Sequence, residues 1–248
     1  SQAVLALLFL FAGLPAVAAK RKVPSLDQKF TPAQLQEDLR VLRNAMEQVH
    51  PALYLYSPKA EFDALFDKTT RGLNKPMTLR EFYLAAAPVV ETAKCGHSYF
   101  DLPRKLLKQL DRDAPGFPIP LFFIGPKTLV DFADAELPLG SEVTAIDGVP
   151  MATLIERCMP FIRSDGLNMT LKYRQLSDEF ALHHFLLGGK KTVFEVEYLP
   201  PDTKEKKTTK LSAITSRQLT KRLIKRHSAP DNLRNYGFSR KQYIYIYS

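Results

Sequence analysis

The chain has 248 residues, 45% apolar and 25% charged, with 18 Pro, 11 Gly, 2 Cys and no Trp. That balance excludes a collagen-like chain, a disulfide-dense mini-protein and wholesale disorder, and the length allows one or two domains with sizeable cores. The net charge of +9 is uneven: residues 204–248 hold 12 Lys/Arg and 2 Asp/Glu, whereas residues 1–203 hold 23 and 24. The basicity therefore belongs to the C-terminal stretch and does not mark the whole chain as a nucleic-acid binder.

Residues 1–19 carry no charge. An apolar run from Ala3 to Leu14 is followed by Pro15 and the small residues Ala16-Val17-Ala18-Ala19. This reads as the apolar and cleavage regions of a secretory signal peptide. A buried N-terminal helix or an uncleaved anchor is the alternative. A membrane span needs about 20 apolar residues, and no later segment approaches that. The expectation is an exported protein, periplasmic, cell-surface or secreted, with no stable membrane insertion once the signal is removed.

Helical signals dominate residues 31–95. Thr31-Pro32-Ala33-Gln34 forms a capping box with Pro at the first helical position. Leu35, Leu39, Leu42, Met46 and Val49 then make one apolar stripe, which His50-Pro51 closes. Ser57-Pro58 opens a second helix with Phe62, Leu65, Phe66 and Leu73 inward. Thr78-Leu79-Arg80-Glu81 is another capping box and opens a third, which Pro88 should kink or divide and Cys95-Gly96 should end.

The pattern changes near residue 113. Strands are expected at 117–124, 127–132 and 141–146, with a tight turn at Asp147-Gly148. An amphipathic helix follows at 152–161 and further helix at about 177–187. A hairpin spans 192–198 and 207–211, turning at Pro200-Pro201-Asp202. The last part reads as a basic helix at 216–226, a loop, and a strand at 242–247. A strong apolar strand at the very end gives the chain the look of one cut at the start of a domain.

Few residues suggest chemistry by spacing alone. His97, just past a helix end in Cys95-Gly96-His97-Ser98, can project as a general base, since histidine titrates nearest neutrality. The bland alternative is a histidine that fixes the helix end. Cys95 and His97 as a metal pair lack a second pair of ligands at suitable spacing, so neither a metal site nor a cofactor is expected. Cys95 as a nucleophile has equally little support. Cys95 and Cys158 allow one bridge without requiring it. His183 and His184 read as packing and surface residues, and Asn168-Met169-Thr170 fits a glycosylation sequon. The basic run 217–226 is most simply a solvated helix face.

Three stretches together resemble the N-terminal half of secreted peptidases of the tail-specific (C-terminal-processing) family, in its tricorn-core-like branch. They are FTPAQLQEDLRVLRNAMEQVHPALYLY at 30–56, KCGHSYF at 94–100, and LPLGSEVTAIDGVPMATLIERCMPFIRSDGLNMTLKYRQLSDEF at 137–180. The second is similar to the family's Gly-His-Thr/Ser loop, and the third to its PDZ-like module. The resemblance implies an α+β fold: a helical N-terminal domain at 29–104, a PDZ-like small barrel or sandwich with helices at 113–212, and at 213–248 a basic helix or linker leading to the first strand of a truncated α/β core.

In that branch the His of the Gly-His loop is base to a Ser on the core, which makes His97 the candidate base. The family's nucleophilic Ser and its supporting acidic residue, or Lys in the other branch, have no counterpart here. The implied protein is a fragment of an exported serine-type peptidase that docks a peptide or protein substrate and is inactive alone. A noncatalytic exported peptide-binding module is the competing expectation. Binding of nucleic acid or anionic surfaces through 204–248 is a third, and nucleic acid sits poorly with a secretory signal.

Overall fold

The computed structural model describes residues 23–133 and 135–226. The signal-like segment 1–19 and the strand at 242–247 lie outside them. The fold is α+β, with seven α-helices among the described residues. The first part comprises β1 (Lys29–Phe30), α1 (Pro32–Val49), α2 (Lys59–Gly72), β2 (Met77–Thr78) and α3 (Leu79–Glu91). Both expected capping boxes form. The Thr31 N–H donates to Gln34 Oε1 at 3.0 Å, and the Thr78 N–H to Glu81 Oε2 at 2.7 Å. Each satisfies backbone donors that a helix start otherwise leaves open, worth about 1 kcal/mol. Leu35, Leu39, Phe62, Phe66, Leu73, Ala86 and Val89 close into one core between the three helices. Pro88 does not divide α3, but the helix ends three residues later, at Glu91 and not at Cys95.

The second part begins with α4 (Arg104–Asp113), an element absent from the sequence reading. Then come β3 (Pro115–Gly116), β4 (Leu121–Ile124), β5 (Lys127–Val130), β6 (Glu142–Ile146), β7 (Val149–Pro150) and α5 (Met151–Cys158). A 3-10 turn at Met159–Phe161 leads to α6 (Met169–Gly188), β8 (Val193–Leu199), β9 (Lys207–Ser212), β10 (Ile214–Thr215) and α7 (Ser216–Arg226). Helix α6 starts well before the expected residue 177. The side chain of Asn168, the sequon residue, accepts the Leu171 N–H at 3.0 Å and caps it. Its apolar residues do not form a single stripe, because α6 packs on β4, α5 and α3 at once.

The main sheet is antiparallel, in the order β4-β5-β6-β8-β9 with β7 added to β6. It is open. The expected small barrel does not close, because β4 and β9 are opposite ends of the order and α6 lies over β4. The sheet, α5 and α6 enclose a core of Phe117, Leu121, Val143, Ile146, Leu176 and Phe194.

The two parts share a third core, where Tyr83 and Ala87 of α3 meet Leu102, Leu106 and Leu186. Two polar ties cross the same seam. Arg80 donates through Nε to the Leu186 carbonyl at 2.7 Å and through Nη2 to that of Leu187 at 3.3 Å, near the end of α6. Lys172 of α6 is 8% exposed, pairs with Glu91 of α3 and donates to the Met159 carbonyl at 3.2 Å. These ties hold α3 against α6, and so fix the loop that leaves α3.

Candidate functional site

Past Glu91 the chain makes a short, hydrogen-bonded descent. The N–H groups of Ala93 and Lys94 return to Val90 and Glu91, at 3.1 and 2.9 Å. Lys94 then takes φ 45°, a left-handed conformation uncommon outside glycine. The Ser98 N–H donates to the Cys95 carbonyl at 3.0 Å, which closes a turn with Gly96 and His97 at its tip. His97 is exposed, and Cys95 is half-buried beside it.

This turn is clamped by a loop 69 positions away in the chain. Asp165, between the 3-10 turn and α6, accepts the Gly96 N–H through Oδ1 at 2.7 Å. Its neighbour Gly166 donates to the Lys94 carbonyl at 2.8 Å. Both glycines sit in close quarters. A Cβ on Gly96 would lie 2.8 Å from Asp165 Oδ1, and one on Gly166, at φ +62°, would lie 2.9 Å from the Tyr56 ring. The clamp brings one ligand atom each of Cys95, His97 and Asp165 within 4.8 Å of one another.

The three residues line a cleft of 750 Å³, shared with Met46, Val49, His50, Leu55 and Tyr56. Its rim is unusually apolar for a free surface: Val49 is 78% exposed, Leu55 67%, Tyr99 58% and Tyr56 46%. A second cavity, of 290 Å³, shares Val90, Cys95, Ser98 and Tyr99 with this cleft. Tyr83, Asp101, Arg163, Glu179 and His183 supply its polar groups. Burial raises the Asp101 carboxyl above its usual range, against the pull of the Arg163 guanidinium, and raises the Tyr83 phenol. His183 Nε2 is 3.2 Å from Glu179 Oε2.

The remaining candidates fall away from the cleft. Cys95 and Cys158 are both free thiols. Cys158 is buried, which pushes its thiol up to about 12 and leaves it inert. His183 and His184 are 4% and 7% exposed, so both pack and neither is a surface residue. The basic face of α7 is partly engaged: Arg222 donates to the Pro118 carbonyl at 2.9 Å and pairs with Glu136 at 3.1 Å.

An accessible imidazole on an exposed turn can accept a proton from a group brought against it. Sequence reasoning found His97 but not Asp165, whose only signal was a Ser-Asp-Gly turn. No family model matches the chain, and a search of curated proteins finds no match either. No helix among the described residues is long and apolar enough to cross a membrane.

Proposed function

We propose that this chain carries the base-bearing and docking half of an exported serine-type peptidase of the tail-specific kind. His97 is the general base, and the attacking serine comes from a lobe that closes over the cleft. The observation that carries this reading is the exposed His97 at a cleft ringed by exposed Val49, Leu55, Tyr56 and Tyr99. A base must come within about 3 Å of the hydroxyl it activates, directly or through one water. An exposed imidazole leaves room for that approach, and an apolar rim gives an incoming lobe surface to bury. The resemblance of residues 94–100 to a Gly-His-Ser loop supports the same assignment. Closure of the lobe would then gate the chemistry.

The test is cleavage of an unfolded protein substrate by the complete gene product and by its His97→Gln variant. Loss of a general base costs about 10²–10⁴-fold in rate. An equal rate in the variant, or no cleavage by the parent, removes the reading.

Peptide docking without catalysis is a second reading, favoured by the sheet edges. At β4 the outward Phe123 N–H already donates to Ser177 Oγ of α6 at 3.2 Å, so a peptide strand finds that edge covered. Among the described residues, strand β9 ends the sheet on the other side, with only β8 as a strand neighbour. An added peptide strand would pair there through main-chain hydrogen bonds. Titration of hydrophobic C-terminal peptides against the chain tests it, and no binding at millimolar peptide dismisses it.

A further inference from the structure

Spacing along the chain gave Cys95 and His97 no further ligand, and the fold supplies it. Asp165 arrives from another loop and is held there by the Gly96 and Gly166 N–H bonds. A thiol, an imidazole and a carboxylate, with ligand atoms within 4.8 Å of one another, face a cleft open to solvent. Among the described residues no hydrogen bond joins the three side chains to each other. They converge without satisfying one another, unlike the Lys172–Glu91 or Arg43–Asp63 pairs, which are closed ion pairs.

We propose that Cys95, His97 and Asp165 form a three-ligand site for a soft or borderline divalent transition-metal ion, with Zn²⁺ the best match. The donor set decides the class. Calcium and magnesium take six or more oxygens or keep most of their water, and only one side chain here offers oxygen. Sulfur, imidazole nitrogen and one carboxylate oxygen are the ligands zinc selects. Such an ion needs ligand atoms a few ångströms apart, and side-chain rotation on an exposed turn can close the present spacing. Three protein ligands leave one position for water, as in open zinc sites. The Gly96 N–H, donating to Oδ1, steadies the Asp165 carboxylate and leaves Oδ2 to bind.

Metal on His97 takes the lone pair that a base would use. The site is therefore also an off-switch for proton transfer, a consequence that rests on the peptidase reading, whereas the binding does not.

The test is a Zn²⁺ titration of the full chain against a chromophoric chelator, with Co²⁺ as the spectroscopic probe. One Zn²⁺ per chain is expected, with a thiolate-to-cobalt charge-transfer band that Cys95→Ser abolishes. Cys95→Ser and His97→Gln should each weaken Zn²⁺ binding about a hundredfold. Asp165→Asn keeps an acceptor for the Gly96 N–H, so the turn survives, and should weaken it at least tenfold. His50→Ala, in the same cleft, should leave it unchanged. Binding should also weaken at lower pH, since the ligands must lose their protons. Absence of the charge-transfer band, or equal affinity in Cys95→Ser, overturns the site. Zn²⁺ binding by this chain, with no peptidase activity in the complete gene product, overturns the peptidase reading alone. A working peptidase indifferent to saturating Zn²⁺ overturns the switch alone.

Discussion

The helical part and the sheet part touch in two places, and the two contacts are built differently. At the seam of α3 and α6 the ties are buried: Lys172 with Glu91, Arg80 on the carbonyls of Leu186 and Leu187, and the Tyr83–Leu106–Leu186 core around them. At the 94–97 turn the ties are exposed: one carboxylate, two backbone N–H groups and two glycines. Charges inside the seam are matched and desolvated, so they specify how the two parts sit. Groups at the turn converge but stay unmatched, and water or a ligand reaches them. The same residue classes are thus paired and buried in one place and exposed in the other, which leaves only the second open to a ligand.

Breaking the buried contact should have the largest effect. Lys172→Ala strands the Glu91 carboxylate, whose side chain is 18% exposed, without its cation. Removing one partner of a buried pair costs about 3–5 kcal/mol, because the other charge remains desolvated. Chemical denaturation should show that loss, and the double replacement Lys172→Met with Glu91→Leu should recover most of it. A cost under about 1 kcal/mol for Lys172→Ala would mean water already reaches the pair.

Much of this frame was legible in the sequence, for local reasons. The Thr31 and Thr78 boxes, the 3.6-residue stripe of α1 and the Asp147-Gly148 turn each rest on residues within one helical turn or hairpin. What was illegible depended on distance. Asp165 matters because a loop 69 positions from Gly96 folds onto it, and no spacing rule sees that. Helix α6 was cut short because its apolar residues face several neighbours, so no single stripe marks its first turns. The open sheet followed the same logic: local alternation predicts strands but cannot say whether the first and last will meet.

The core beneath the sheet carries a pH signature of its own. His184 is buried between Phe180 and Phe194, with ring centroids 5.5 and 5.6 Å away. Burial, with the nearby Lys191 ammonium, depresses its pKa from 6.5 to about 4. The folded chain therefore holds His184 neutral at pH values where the unfolded chain protonates it. That contribution is complete above about pH 6.5 and is lost as pH falls toward 4. It is on the order of 3 kcal/mol across that window. Stability measured from pH 7 down to 4 should fall, and His184→Phe should flatten the curve. An identical slope in that variant would assign the acid sensitivity to other groups.

The exposed contact should be cheaper to break and more damaging to chemistry. Gly96→Ala places a Cβ where Asp165 Oδ1 now sits, at 2.8 Å. The exposed carboxylate, at the far end of a flexible side chain, must swing aside, which costs little stability. Stability changes little beside Lys172→Ala, yet Zn²⁺ affinity should collapse, because the third ligand is displaced. A variant that keeps its metal affinity would show that Asp165 can shift and still bind, so the close approach at Gly96 does not set the site.

The smallest effect on binding sharpens the comparison at the sheet edge. Ser177→Ala removes the acceptor of the buried Phe123 N–H, and the Ser177 hydroxyl also donates to the Tyr173 carbonyl at 3.0 Å. A buried donor left without its acceptor costs about 1–3 kcal/mol. The N–H freed on β4 faces α6 and not solvent, so covering by the helix should still exclude a peptide there. Peptide affinity should then be the same in Ser177→Ala and in the parent chain. A gain in affinity would mean that the hydroxyl, and not the bulk of α6, keeps the β4 edge closed, and would move the docking edge from β9 to β4.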